Sequence, residues 1–320
     1  MRKFLSILLF AAIVGCGAYY YSRHVEDFQL IYELSVWPIL VLSIISLALI
    51  LLHGLQVKIL TDHYDLNLSF FQWLGLSRLT TLANLVLPPA GGASLKAVYL
   101  KRFHNLKYTS FLASTAIASI IRLVLVSVFA VLLLLYSGGP AIDLVPVPGV
   151  VLICTLAFLL YGHRIPRSCI FYWEKLADLI KEWQGIRANH QIIRKLILLN
   201  CLIYAISSLG IYASFRAFSV NASLALSGVI SALIILSNAL KLIPANLGVK
   251  ELVFVTIAGI YGISINEGLH AAALHRIIGA LFTLLLAPGF AYPMTKRTFG
   301  EPRFIAQQGS AEPSELSETK

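Results

Sequence analysis

Residues Tyr108–Tyr136 read YTSFLASTAIASIIRLVLVSVFAVLLLLY: 29 positions, one charge, Arg122. About 20 predominantly apolar residues in helical rise of 1.5 Å each cross a bilayer core, so this run is longer than a span requires. Three further runs qualify outright: Phe4–Tyr21, Val36–Gln56 and Leu269–Tyr292. Two more, Val150–Gly162 with its flanks and Leu196–Phe215, complete a set of six. The composition agrees. Of 320 residues 58% are hydrophobic and 12% charged, about half the charged share of a soluble domain, and the mean hydropathy is +0.82. The sequence predicts an all-α, polytopic integral membrane protein.

The gaps between runs carry the charge. Lys and Arg outnumber Asp and Glu by 25 to 15, an excess that in a soluble chain would suggest nucleic acid. Here it collects at Arg2 and Lys3, from Lys96 to Lys107, from Arg164 to Lys195, and at Lys296 and Arg297. Ser137–Gly149 and Ser264–Glu267 contain no base. Basic loops stay cytoplasmic, so six crossings place both termini and every basic segment on the cytoplasmic side of a plasma (inner) membrane, with no nucleic-acid partner. Segment 167–190 sets Ile170, Trp173, Ala177, Ile180 and Trp183 against Glu174, Lys175, Asp178 and Lys181 at helical spacing. It reads as an interfacial amphipathic helix, or as a helix packed on the protein's own cytoplasmic loops. The membrane domain spans 1–300, with halves of about 1–136 and 148–292, and the polar tail 301–320 is expected to be disordered. Cys16, Cys154, Cys169 and Cys201 form no paired or metal-binding pattern. Ile13-Val14-Gly15-Cys16 resembles a lipoprotein cleavage box, but an uncleaved first span suits a chain that is itself a membrane protein. No metal site and no cofactor are expected.

Two apolar stretches do not read as simple spans. Phe70–Leu87 breaks at Pro88-Pro89-Ala90-Gly91-Gly92 and resumes to Lys101. Ser223–Ile243 breaks at Pro244-Ala245-Asn246-Leu247-Gly248 and resumes to about Tyr261. Proline removes a backbone donor and glycine accepts the dihedrals of a reversal; at membrane depth such breaks survive only inside protein or beside a wet cavity. An Asn precedes each break (Asn84, Asn238). Read as re-entrant hairpins, they are separated by an odd number of spans and enter from opposite faces. That makes an inverted repeat with a transporter-type site where the breaks meet. Two Pro-kinked spans are the alternative.

Leu79–Ala97, with Asn84, Pro88 and Gly91-Gly92 followed by Lys96, resembles the first conserved block of the lysylphosphatidylglycerol synthase transmembrane family, whose members are also called flippase-like domain proteins. Ile243–Glu251 is similar to its second block, Pro…Gly-Val-x-Glu. One position departs: the family's Glu after the first glycine is Ala93 here. The resemblance implies a membrane domain that moves or handles lipids with phosphate-bearing head groups. The founding members' soluble synthase domain has no counterpart in this chain, so aminoacyl transfer is not implied.

Ionisable groups at membrane depth cost about 2.5–3.5 kcal/mol on insertion scales. The candidates for head-group binding are Arg78, Lys96, Arg122, Lys241, Lys250, Glu251, His275 and Arg276, with Asn84 and Asn238. Pro88, Pro89, Gly91, Gly92, Pro244 and Gly248 mark the breaks. Guanidinium forks suit phosphate oxygens, although snorkelling or internal pairing explains any single cation. Glu251 is the one carboxylate clearly inside an apolar stretch, read as a coupling group or as the partner of Lys250 or Arg276. A lone carboxylate argues against two-carboxylate hydrolysis and against metal-dependent transfer. The expected function is transport or binding of an anionic phospholipid or polyprenyl-phosphate-linked lipid. A lipid-linked glycosyl or phospho-group transferase, or a membrane partner of a separately encoded lipid-modifying enzyme, are the alternatives.

Overall fold

The computed structural model describes residues 34–86, 91–161, 182–186, 188–240 and 248–299. They form nine α-helices and no strand: α1 Val36–Asp62, α2 Phe70–Val86, α3 Gly91–His104, α4 Tyr108–Ser137, α5 Pro146–Tyr161, α6 His190–Ala217, α7 Leu224–Leu240, α8 Val249–Ile260 and α9 Ile265–Phe299. A 3-10 turn, Gly139–Leu144, joins α4 to α5. Five helical stretches are long and apolar enough to cross a membrane: Val36–Asp62, Tyr108–Ser137, Ala141–Leu159, His190–Ala217 and Ile265–Phe290. They correspond to five of the six expected spans. The sixth, Phe4–Tyr21, lies outside the described residues, as do Cys16 and the tail 301–320.

Several helices outrun their apolar windows, because caps and charge pairs stop a helix where hydropathy does not. Lys58 and Asp62 pair one turn apart and carry α1 six residues past Gln56. Asn189 caps α6, its Oδ1 accepting from the Ile192 N–H at 3.3 Å. Ser264 and Glu267 form a capping box that starts α9: the Ser264 N–H donates to Glu267 and the Glu267 N–H to the Ser264 hydroxyl.

Each span shows two faces. On α1, Leu40, Ile44, Leu47, Leu51 and Leu55 are exposed at intervals of three and four, the lipid-facing stripe of a membrane helix. Ile50, Gly54, Val57 and Thr61 are buried on the other face. With no water to drive helices together inside lipid, close approach of small residues does the work. A Cβ at Gly54 would fall 2.6 Å from the Trp73 ring of α2, and one at Gly228 would fall 2.5 Å from Leu133 of α4.

Helix packing repeats with two-fold regularity. α1 packs on α2 as α6 packs on α7; α2 packs on α9 as α7 packs on α4; α1 meets α9 as α6 meets α4. The largest interface, α1 with α6, lies on the axis of exchange. Those two helices run antiparallel. Leu42 neighbours Ala213 and Ala217, Ile45 neighbours Gly210, and Ile59 and Leu60 sit with Ile192 and Leu196. The second half is therefore inverted relative to the first, as the spacing of the breaks predicted. α5 stands outside this plan, packed on α4 and the 3-10 turn, with Val147, Val150, Ile153 and Phe158 exposed.

Both broken segments are helical hairpins, α2–α3 and α7–α8. The residues of the two turns, 87–90 and 241–247, lie outside the described residues. Pro88, Pro89, Pro244 and Lys241 fall there. Gly91 and Gly92 form the first turn of α3, and Gly92 does not have a positive φ. Gly92 meets a demand for space instead. A Cβ on it would lie 2.2 Å from the Thr80 carbonyl oxygen and 2.6 Å from Asn84 Oδ1. Gly248 does adopt the left-handed region, with φ +81°, immediately before α8.

Of segment 167–190, residues 182–186 are described as helix. Ile186 is buried, Trp183 packs edge-on against Phe158, and the Ser110 hydroxyl donates to Glu182 at 2.9 Å. Tyr64, after α1, donates to the Ser110 carbonyl at 2.9 Å. Burial, with the Glu182 charge beside it, pushes the Tyr64 hydroxyl far above its ordinary pKa and keeps it a donor. This end of the segment is thus docked on the protein itself.

Candidate functional site

The hairpins set the geometry of the charged residues. α2 and α7 are both 17 residues long. Asn84 and Asn238 each occupy the fifteenth position, and both are exposed. Asn84 pins its hairpin shut, its Oδ1 accepting the Gly92 N–H at 3.0 Å; an amide group expected to face ligand is engaged in closing the turn. At the ninth position the limbs differ: α2 carries Arg78 and α7 carries Ala232.

In the first half three helices carry cations whose charges reach one imidazole on a fourth. The charges of Arg122 (α4), Arg78 (α2) and Lys96 (α3) all bear on the imidazole of His53 (α1). Arg78 is 4% exposed. One of its terminal nitrogens donates to the Ser77 hydroxyl at 3.3 Å, while its buried Nε has no hydrogen-bond partner. Arg122 donates from Nε to Asn200 Oδ1 at 3.0 Å and from Nη2 to Gln56 Oε1. Both acceptors are neutral amides, and Asn200 is held in turn by the Leu196 carbonyl at 2.7 Å. Among the described residues no carboxylate pairs with Arg78 or Arg122. Lys96 also lines a cavity of about 20 Å³, between α1, α3 and α4, with Val57, Thr61, Leu100, Phe111 and Ser114. That is room for about one water molecule.

The second half answers its cation differently. Arg276, in the span after the second hairpin as Arg122 is in the span after the first, pairs with Glu251. Glu251 is the third residue of α8, and its other oxygen accepts the Gly248 N–H at 2.9 Å. One carboxylate therefore caps a helix and neutralises a guanidinium. Lys250 lies within electrostatic reach of Arg276 and of His275. His275 faces α6, its Nδ1 3.5 Å from the Ser214 hydroxyl, and its ring packs near Phe254. Counted from the first residue of each helix, Ala93 in α3 holds the place that Glu251 holds in α8.

The expected candidates thus fall into two groups, Arg78, Lys96 and Arg122 in one and Lys250, Glu251, His275 and Arg276 in the other. Among the described residues the two hairpins share no broad packing face; α4 and α9 each touch both. His53, Gln56 and Asn200 were not singled out by the sequence. The available signal was His53 and Gln56 at i and i+3 on one face of an apolar helix, next to the Gly54 that closes on α2.

Comparison with curated proteins and with solved structures returns no match. The family model described as "Lysylphosphatidylglycerol synthase TM region" matches residues 2–287, which takes in both hairpins, four of the long apolar helices and most of the fifth, Ile265–Phe290. A helical membrane protein with two inverted hairpins, matched over nearly its whole length, belongs to the lysylphosphatidylglycerol synthase transmembrane family.

Proposed function

We propose that this protein binds anionic lipid head groups at membrane depth and moves such lipids between leaflets, as a flippase-like translocase. The observation that carries the reading is the first-half cluster. The charges of Arg78, Lys96 and Arg122, on three helices, all reach His53, and among the described residues Arg122 donates to neutral amide oxygens. Cations at this depth are expensive, and a phosphate-bearing head group is what a set of guanidinium and ammonium donors recognises. Family membership supports a role in lipid modification or transport. The basic segments between spans support an orientation with both termini in the cytoplasm of a plasma (inner) membrane.

The test is transbilayer movement in proteoliposomes. Purified protein in phosphatidylcholine vesicles carrying fluorescent short-chain phosphatidylglycerol should speed dithionite quenching of inner-leaflet label. Arg122→Gln should return the rate to that of protein-free vesicles. Wild-type protein that neither moves nor binds labelled phosphatidylglycerol would overturn the reading.

A further inference from the structure

The two hairpins are built on one plan and differ in the charges they carry. In the second, the third residue of the inner helix is Glu251, which caps α8 through Gly248 and neutralises Arg276. In the first, that position is Ala93. Nothing among the described residues replaces the lost carboxylate: Arg122 turns to Gln56 and Asn200, which satisfy its hydrogen bonds without cancelling its charge. Arg78 stands where α7 has Ala232. Arg78 is buried with its Nε unpartnered, a costly state unless something that accepts hydrogen bonds arrives. Packing follows the same division. α8 lies along α9, drawn in by the Glu251–Arg276 pair, whereas α3 meets α4 at only a few positions. The cavity lined by Lys96, Leu100, Phe111, Ser114 and Thr115 lies in that gap.

We infer that the first hairpin takes its missing negative charge from a ligand, so that a monoanionic phosphate diester or carboxylate seats between α3, Arg78 and Arg122 where Glu251 serves the second hairpin. The site is single, on one half of a two-fold scaffold, and it is entered through the gap between α3 and α4. This rests on the lipid-binding reading above and adds where the anion sits and why only there. The second hairpin carries its own occupant and takes none.

The experiment fills the position from within. Ala93→Glu places a carboxylate at the third residue of α3, where the helix dipole favours it and Arg122 is within the adjoining span. Ala93→Gln has the same shape without the charge. Purified full-length protein in phosphatidylcholine nanodiscs is titrated with phosphatidylglycerol, and separately with inorganic phosphate in the buffer, and its melting temperature is followed. Wild type and Ala93→Gln should be stabilised alike by phosphatidylglycerol. Ala93→Glu should melt at least as high as wild type without it and show affinity weakened about tenfold or more, a change of about 1.4 kcal/mol. An Ala93→Glu protein that responds like wild type overturns the site and leaves the lipid reading standing. A wild-type response to inorganic phosphate alone keeps the site and overturns the lipid reading. No wild-type response to either anion overturns both.

Discussion

Replacing Gly92 by alanine separates two physical effects that pull in opposite directions. Gly92 is the second residue of α3, and by helix propensity alone an added methyl stabilises by about 1 kcal/mol. The hairpin opposes it. The new Cβ would lie 2.2 Å from the Thr80 carbonyl oxygen, and the closest approach real Cβ atoms tolerate is 3.0 Å. The two limbs must therefore part by at least 0.8 Å, the difference of those distances. The obstacle is backbone, so no rotamer change relieves it. Parting the limbs also stretches the bond from the Gly92 N–H to Asn84 Oδ1, now 3.0 Å. Overpacking costs about 1–3 kcal/mol and a lost hydrogen bond about 0.5–1.5 kcal/mol. Set against the propensity gain, the net is a destabilisation of about 1–3 kcal/mol. The measurement is thermal unfolding of the purified protein in detergent, followed by tryptophan fluorescence, with Gly279→Ala as the control. Gly279 lies within α9 with nothing within 4 Å of an added Cβ, so that variant should melt at or above wild type. A Gly92→Ala protein that melts with the Gly279→Ala control would refute the closed-hairpin geometry.

Two further outcomes test the second half. Glu251→Gln removes the carboxylate that pairs with Arg276 and weakens the cap at Gly248; at partial exposure the cost should be about 1–3 kcal/mol, and the double variant with Arg276→Gln should be less destabilised than the two single costs summed, as read from a thermal double-mutant cycle. Additive costs would show that the pair does not interact. Tyr204→Phe removes the hydroxyl that donates to the Gly228 carbonyl at 3.0 Å while keeping the ring stacked on Phe129. Stability should fall by about 1 kcal/mol, and an unchanged melting temperature would show that the α6–α7 contact rests on packing alone.

Much of the architecture was open to a reader of the sequence, because the bilayer imposes length and hydropathy on each span. The five long apolar helices and the two interrupted stretches follow from that constraint. The inversion follows from counting crossings between Pro88 and Pro244. What the sequence concealed was local and depended on contact. Gly92 looked like a hinge because glycine tolerates unusual dihedrals; its helical φ and the Thr80 carbonyl beside it show that volume is the reason. Asn84 looked like a ligand group because it preceded a break, yet its oxygen is spent on the Gly92 N–H. His53 told little because it sits near the end of an apolar run, and Asn200 is one polar side chain within another. Their significance lies in partners 69 and 78 positions away, as the pairs His53–Arg122 and Asn200–Arg122 show.

The difference between Arg122 and Arg276 lies in what their partners can cancel. A hydrogen bond to a charged group contributes about 1.5–3 kcal/mol, so Gln56 and Asn200 offset much of the cost of burying Arg122 and fix its orientation. Amide oxygens carry no net charge, however, and the field of the guanidinium extends past them to His53, where Arg78 and Lys96 add to it. Glu251 cancels the field of Arg276 as well as meeting its donors. One arginine is therefore held and quenched, the other held and left electrostatically open. A fold that merely needed one arginine in each of these spans would have no use for that inequality, since the helix dipole favours a carboxylate in the first turn of α3. Ala93 makes sense where the negative charge has to be able to leave.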